Sequence, residues 1–210
     1  METGQMVERA AEGFCKQFLR SPYLACTEQG LHALFCSDLL SMMPDGRSYP
    51  EWRGKKVCVV QPGYRAPDNL GRSKAQHWDI AVLRTPLEPL SPRKASYDLL
   101  RLSAIVEFGL NPAREHLEDD IDRLAHGSVS ADRKFIIHLY RLSAAGKRFS
   151  GRDLTPKSSQ VVNVKEAQGL LDARRKDPGI TIYYAMSDLT RTFGSQLWRL
   201  EWGLPPTGLV

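Results

Sequence analysis

This 210-residue sequence predicts a single α/β domain built on a mixed central β-sheet with helices packed against it. Three observations carry that expectation. Five short runs rich in apolar and β-branched residues punctuate the chain, three before a central helix and two after it, so both antiparallel and parallel pairings are required. The composition, 42% hydrophobic and 25% charged, is that of a chain able to bury one core at this size. No internal repeat, low-complexity tract or linker divides it.

A first helix is expected over Gln5 to Leu19, ended near Ser21-Pro22 because the residue before a proline is pushed out of helical angles. A second starts behind Thr27 as N-cap and carries Glu28 in its first turn, where the helix dipole favours an acid. It stripes Leu31, Leu34, Phe35 and Leu39 along one face and stops at Pro44-Asp45-Gly46. Strands are expected at Lys55 to Gln61 and Trp78 to Arg84, with a Pro, Gly and Asn loop from Pro62 to Gly71 between them, and at Leu102 to Phe108. Asn111-Pro112 reads as a cap with proline at the first helical position. It opens a helix with Ala113, Leu117, Ile121 and Leu124 on one face and Gly127 past its end. A strand at Lys134 to Leu142, a helix at Glu166 to Lys176, a strand at Ile180 to Met186 and a last helix at Leu189 to Trp198 complete the chain. The order is α-α-β-β-β-α-β followed, after a basic loop, by α-β-α.

Charges break every apolar run well short of the roughly 18 to 20 residues that a membrane-spanning helix needs, so no membrane partner is expected. Glu2, Glu8 and Glu12 deny the N-terminus the order of a secretory signal, and a cytoplasmic location is expected. Cys15, Cys26, Cys36 and Cys58 form no CxxC pair and read as buried apolar thiols. His32 and Cys36 share a helical face, but two ligands do not make a zinc site. Phosphate-loop, dinucleotide, α/β-hydrolase and zincin motifs are all absent.

The formal net charge of +5 hides an uneven distribution. Arg141 to Lys176 holds nine basic residues against three acids, and Arg47 to Lys74 seven against two, whereas Asn111 to Arg133 holds six acids against three arginines. Basic loops around an acidic middle suit a protein that holds a polyanion at its periphery and a divalent cation near its centre. An ordinary solvated basic surface would look the same. In the stretch from Lys147 to Lys157, Lys147, Arg148 and Arg152 are candidate phosphate contacts.

Two carboxylates sit inside apolar strands: Asp79 in HWDIAVL and Glu107 in SAIVEFGL. A charge in such a run is costly to bury unless it is paired or binds a metal. Neighbouring strands would bring the two together as an oxygen-rich pocket suited to Mg²⁺ or Mn²⁺. The plain alternative is a pair of edge-strand acids bonded to arginines such as Arg84 and Arg114. Tyr183, Tyr184, Trp198 and Trp202 are read as core or subunit-contact residues in preference to base-stacking platforms.

The succession of Thr27-Glu28 opening a helix, a strand with Asp79, a strand ending in Glu107, the helix Asn111-Pro112-Ala113-Arg114-Glu115-His116-Leu117-Glu118-Asp119-Asp120-Ile121 and a further apolar strand resembles the PD-(D/E)XK, or restriction-endonuclease-like, nuclease superfamily. The resemblance covers roughly Cys26 to Leu142. Residues 143–210, a basic loop and a C-terminal αβα unit, would extend the same single domain, 1–210. It implies a restriction-endonuclease-like fold and a Mg²⁺-dependent (or Mn²⁺-dependent) nuclease acting on nucleic acid, DNA first. Asp79 and Glu107 would be the metal ligands and catalytic residues, Glu28 an accessory catalytic acid, and His77 a substrate contact on the Asp79 strand.

One departure stands out. Where the family pattern places a lysine two residues after the Glu, this sequence has Gly109. Lys74, Arg84, Arg114 and Lys134 are candidates for a relocated cation, and Lys74 and Arg114 also for nucleic-acid contact. Otherwise the chain is a catalytically degenerate nucleic-acid-binding or assembly subunit, or a module that docks other proteins through its apolar Trp198 to Val210 tail. A homodimer or larger protein complex is compatible with each reading.

Overall fold

The computed structural model describes residues 2–44, 48–66, 76–89, 100–144, 153–173 and 179–210. Helix α1 (Thr3–Arg20) repeats apolar residues at helical spacing, so that Val7, Ala11, Phe14 and Phe18 are buried along one face. Helix α2 (Glu28–Met42) is capped as its sequence demands, the Thr27 hydroxyl accepting the amide of Gly30 at 3.1 Å. Leu31, Phe35 and Leu39, four residues apart, make its buried stripe.

The run at Lys55 is not one strand. Strands β1 (Glu51–Trp52) and β2 (Lys55–Lys56) form a separate hairpin around Arg53-Gly54, whose φ angles of 51° and 75° turn the chain back. The next strand, β3 (Val60–Arg65), runs through Pro62 and Gly63, which were expected to be loop. Only an edge strand tolerates that proline, because its missing amide faces no partner.

Strands β4 (His77–Leu83), β5 (Leu102–Leu110), β6 (Ala131–Leu142), β7 (Ile180–Asp188), β8 (Gln196–Glu201) and β9 (Thr207–Gly208) continue the sheet in chain order from β3. β5, β6 and β7 are parallel, and the pairs on either side are antiparallel, which makes the seven-stranded sheet mixed. The parallel pairs are joined by helices α3 (Arg114–Leu124) and α4 (Val164–Ala173), as parallel strands require. One face of β5 presents Phe108 to α1 and α2, with Phe14 and Phe35 packed edge-on at ring-centroid distances of 5.9 and 5.3 Å. Removing an aromatic side chain from such a cluster costs about 3 to 5 kcal/mol. The opposite face, with Ile105, Glu107 and Gly109, looks towards α3, which buries Leu117, Ile121 and Leu124.

The expected last helix at Leu189 to Trp198 is instead a turn and a strand. The Asp188 carboxylate accepts the amides of Thr190, Phe193 and Gly194 at 2.9, 2.6 and 3.2 Å and folds the segment into a loop. Arg191 and Gly194, with φ of 61° and 75°, exclude a helix there. The C-terminal unit is therefore α-β-β-β, and β8 and β9 cover the strand that buries Tyr183 and Tyr184. The tail expected to dock partners belongs in part to the sheet, with Leu200 buried and Leu204 exposed.

Asn111 does not cap α3. Its φ of 53° turns the chain off β5, and its side-chain oxygen accepts the Arg141 amide of β6 at 2.7 Å, so the helix begins only after Pro112-Ala113. Of the four cysteines, all free, only Cys15 is buried and Cys26 is exposed. No described helix is long and apolar enough to cross a membrane.

Candidate functional site

β4 and β5 pair through Ile80 opposite Val106, and there their backbone ladder stops. One residue further, the two strand carboxylates take over. Asp79 accepts the Phe108 amide at 2.8 Å, and Glu107 faces the Asp79 amide at 3.4 Å. The next outward amide of β5, Leu110, is taken by Glu28 at 3.0 Å from the first turn of α2. Three carboxylates thus satisfy backbone amides beyond the end of the β4–β5 ladder, while β4 itself runs on to His77 beside β3. The structure brings Asp79 and Glu107 together and sets Glu28 two residues further along β5, at Leu110, outside a single ligand-spaced group.

Glu107 is almost completely buried, at 1% exposure, and its Oε1 lies 2.8 Å from Nη2 of Arg123 in the last turn of α3. Burial pushes its carboxyl well above the ordinary range, and neighbouring Asp79 pushes it further, while Arg123 only partly opposes them. Arg123 itself is clamped. Its guanidinium donates to the His77 carbonyl at 2.7 Å and lies 5.2 Å over the Trp78 ring.

A second group adjoins the first. Asp120, four residues after His116 on α3 and 2% exposed, presents Oδ2 to the Nε2 atoms of both His116 and β6's His138, at 3.3 and 3.2 Å. Arg123 reaches its other oxygen at 3.8 Å and so bridges the two groups. The hydrogen bond from Asp120 raises His116 to about 8, with smaller contributions from the charges of Asp120, Glu28 and Asp79. The two imidazoles hold the Asp120 carboxyl below its usual value despite its burial.

Gly109 has a steric reason. It is the register partner of His138, and a Cβ there would lie 2.9 Å from Pro112 and 3.0 Å from the His138 ring. The space two residues beyond Glu107 is filled from the neighbouring strand and loop, leaving no room for a lysine.

Of the cations expected to replace that lysine, Arg114 and Arg84 are paired with other acids. Arg114 is exposed and bonded to Glu118 and Glu166 at 2.8 and 2.9 Å, and Arg84 lies 3.6 Å from Asp132. Neither bonds Asp79 or Glu107, yet the plain alternative of a strand acid bonded to a local arginine holds for Glu107, whose partner is Arg123 at 2.8 Å. Lys134 is buried on β6 as the register partner of Ile105, two residues before Glu107. The His77 side chain is exposed, and its contribution to the site is a backbone carbonyl. Lys74, Lys147, Arg148 and Arg152 lie outside the described residues.

Sequence reasoning missed Arg123, His116, Asp120 and His138. A signal was present for two of them. Asp120 interrupts the Leu117, Ile121 and Leu124 stripe, and His138 sits between Ile136 and Tyr140 on one face of an apolar strand, the same anomaly that marked Asp79 and Glu107. No family model matches this chain, and no curated protein or solved structure matches it.

Proposed function

We propose that this chain is a restriction-endonuclease-like domain that hydrolyses phosphodiester bonds of nucleic acid, DNA first, in the cytoplasm. The observation that carries the reading is the pairing of Asp79 and Glu107 where the β4–β5 ladder ends, with Glu28 on the Leu110 amide further along β5. The donor set fits Mg²⁺ or Mn²⁺: it is all carboxylate oxygen, and the buried Glu107 Oε1 is held by its ion pair with Arg123 alone. Asp79 and Glu107 would hold the ion, with Glu28 beside them. Bound there, the ion supplies Lewis-acid polarisation of the phosphodiester and lowers the pKa of a water. Arg123 is a positioning residue that fixes the Glu107 carboxylate, and the amides of Phe108 and Leu110 orient Asp79 and Glu28.

A second reading, favoured by the packed space at Gly109, is a non-catalytic subunit that binds nucleic acid or assembles with a partner. Calorimetric titration of Mn²⁺, run beside a cleavage assay, separates the two. Wild type is expected to bind Mn²⁺ and cut DNA, and Asp79→Asn and Glu107→Gln to lose both while remaining folded. Cleavage that survives both substitutions overturns the nuclease reading. Salt-sensitive DNA binding with no metal dependence selects the second.

A further inference from the structure

We propose that His116, Asp120 and His138 form a separate metal site that takes a borderline transition cation of the zinc class. It goes beyond the nuclease reading and does not depend on it.

The donors are two imidazole nitrogens and one carboxylate oxygen, a set that suits zinc-class ions better than Mg²⁺. All three ligand atoms lie within 4.8 Å of one another, the one such group among the described residues. The two nitrogens stand 3.3 and 3.2 Å from a single oxygen. Ligands about 2.1 Å from a tetrahedral ion are separated by about 3.4 Å, so these two edges are already formed. Closing the third needs only a small movement of His116, which is on the first turn of a surface helix and 43% exposed.

The other two ligands are fixed by the fold. His138 is 1% exposed on a central strand, and its Nδ1 is buried with no hydrogen-bond partner. Its Nε2, the atom turned to Asp120, is the one offered to a cation. Asp120 is 2% exposed and shares the His116 face of α3. Arg123 approaches Oδ1, so Oδ2 is left to the two imidazoles. Three protein ligands with an exposed member leave a fourth position for water or an anionic ligand, the pattern of open zinc sites. Gly109 belongs to this arrangement, because any side chain there would displace the His138 ring.

The experiment is a Co²⁺ titration of the full chain, freed of metal by chelator, followed by visible absorption and then by displacement with Zn²⁺. One equivalent of Co²⁺ is expected to give the intense bands of a four-coordinate site, and one equivalent of Zn²⁺ to abolish them. His116→Ala, on the surface and safe for folding, and Asp120→Asn should each lose the spectrum, whereas Asp79→Asn should keep it. No such spectrum in folded wild type overturns the proposal, as does a spectrum that survives His116→Ala and Asp120→Asn or that Asp79→Asn removes. Mn²⁺ calorimetry on the same variants reports the carboxylate site alone, so failure of one site is distinguishable from failure of the other.

Discussion

Arg141 and Arg123 both face carboxylates inside the protein, and their surroundings differ: one is a closed pair, the other a group shared among several acids. Arg141 and Asp153 are each 0% exposed and lie 3.6 Å apart. Arg141 also donates to the carbonyls of Pro22 and Ala25 at 3.3 and 3.4 Å, and it lies over the ring of Tyr23, whose hydroxyl donates to Asp153. One positive and one negative charge cancel there, and together they tie the α1–α2 connection and the segment at Asp153 to β6. Around Arg123 the count is unequal. Glu107 and Asp120 both approach its guanidinium and Asp79 adjoins Glu107, while the group opens to solvent through His116 and the half-buried Asp79. Burial and the neighbouring Asp79 push the Glu107 carboxyl up, and under the proposed function a cation bound there would oppose that shift.

The sharpest way to break this contrast is Arg141→Met. It leaves Asp153 buried without its counter-charge, at a cost of about 3 to 5 kcal/mol, because an uncompensated interior charge has neither water nor a partner. Urea denaturation should show that loss, while Mn²⁺ affinity measured at low denaturant stays at the wild-type value. Unchanged stability would show that the pair does not hold these segments together.

How much of this was legible depended on where the deciding contact lay. Asp79 and Glu107 announced themselves because a carboxylate in a β-branched run is anomalous in its own strand. Arg123 did not, since an arginine near a helix C-terminus is what any solvated helix shows, and only the fold reveals Glu107 beneath it. Helix α2 was readable from its cap and stripe, and α3 from its apolar stripe alone, since Asn111 turns the chain off β5 and does not cap it. The segment from Leu189 to Trp198 was not, for its apolar residues fit a helix as well as a strand. The Asp188 carboxylate and the open edge of β7 decide the matter.

Glu107→Gln sharpens the comparison from the other side, with a smaller effect of opposite sign. Because its folded-state pKa lies above the ordinary 4.5, Glu107's contribution to stability is fully present below that pH and is lost as pH rises through the raised value. Removing the charge should therefore leave stability unchanged in acid. In chelator at neutral pH it should gain about 1 kcal/mol. Added Mn²⁺ should raise the melting temperature of wild type and not of the variant. A variant less stable than wild type at neutral pH without metal would place Glu107 with Asp153, as a partner that the fold needs.

The smallest effect belongs to His116, where the site meets solvent. Asp120 holds it by a hydrogen bond, His138 packs against its ring, and Glu28 and Asp79 contribute negative field from α2 and β4. Its pKa is raised from 6.5 to about 8, so the stabilisation it gives is fully present below about 6.5 and disappears as pH rises through 8. Since its side chain is 43% exposed, solvent screening keeps that contribution below about 1 kcal/mol. In chelator, the stability difference between wild type and His116→Gln should therefore shrink between pH 6 and pH 9, and the His116 ring proton should titrate above its ordinary value in an NMR pH series. Titration at or below 6.5 would mean that the negative charge gathered around Arg123 does not reach the surface of the site, and the contrast with the self-cancelling pair at Arg141 would fail at that edge.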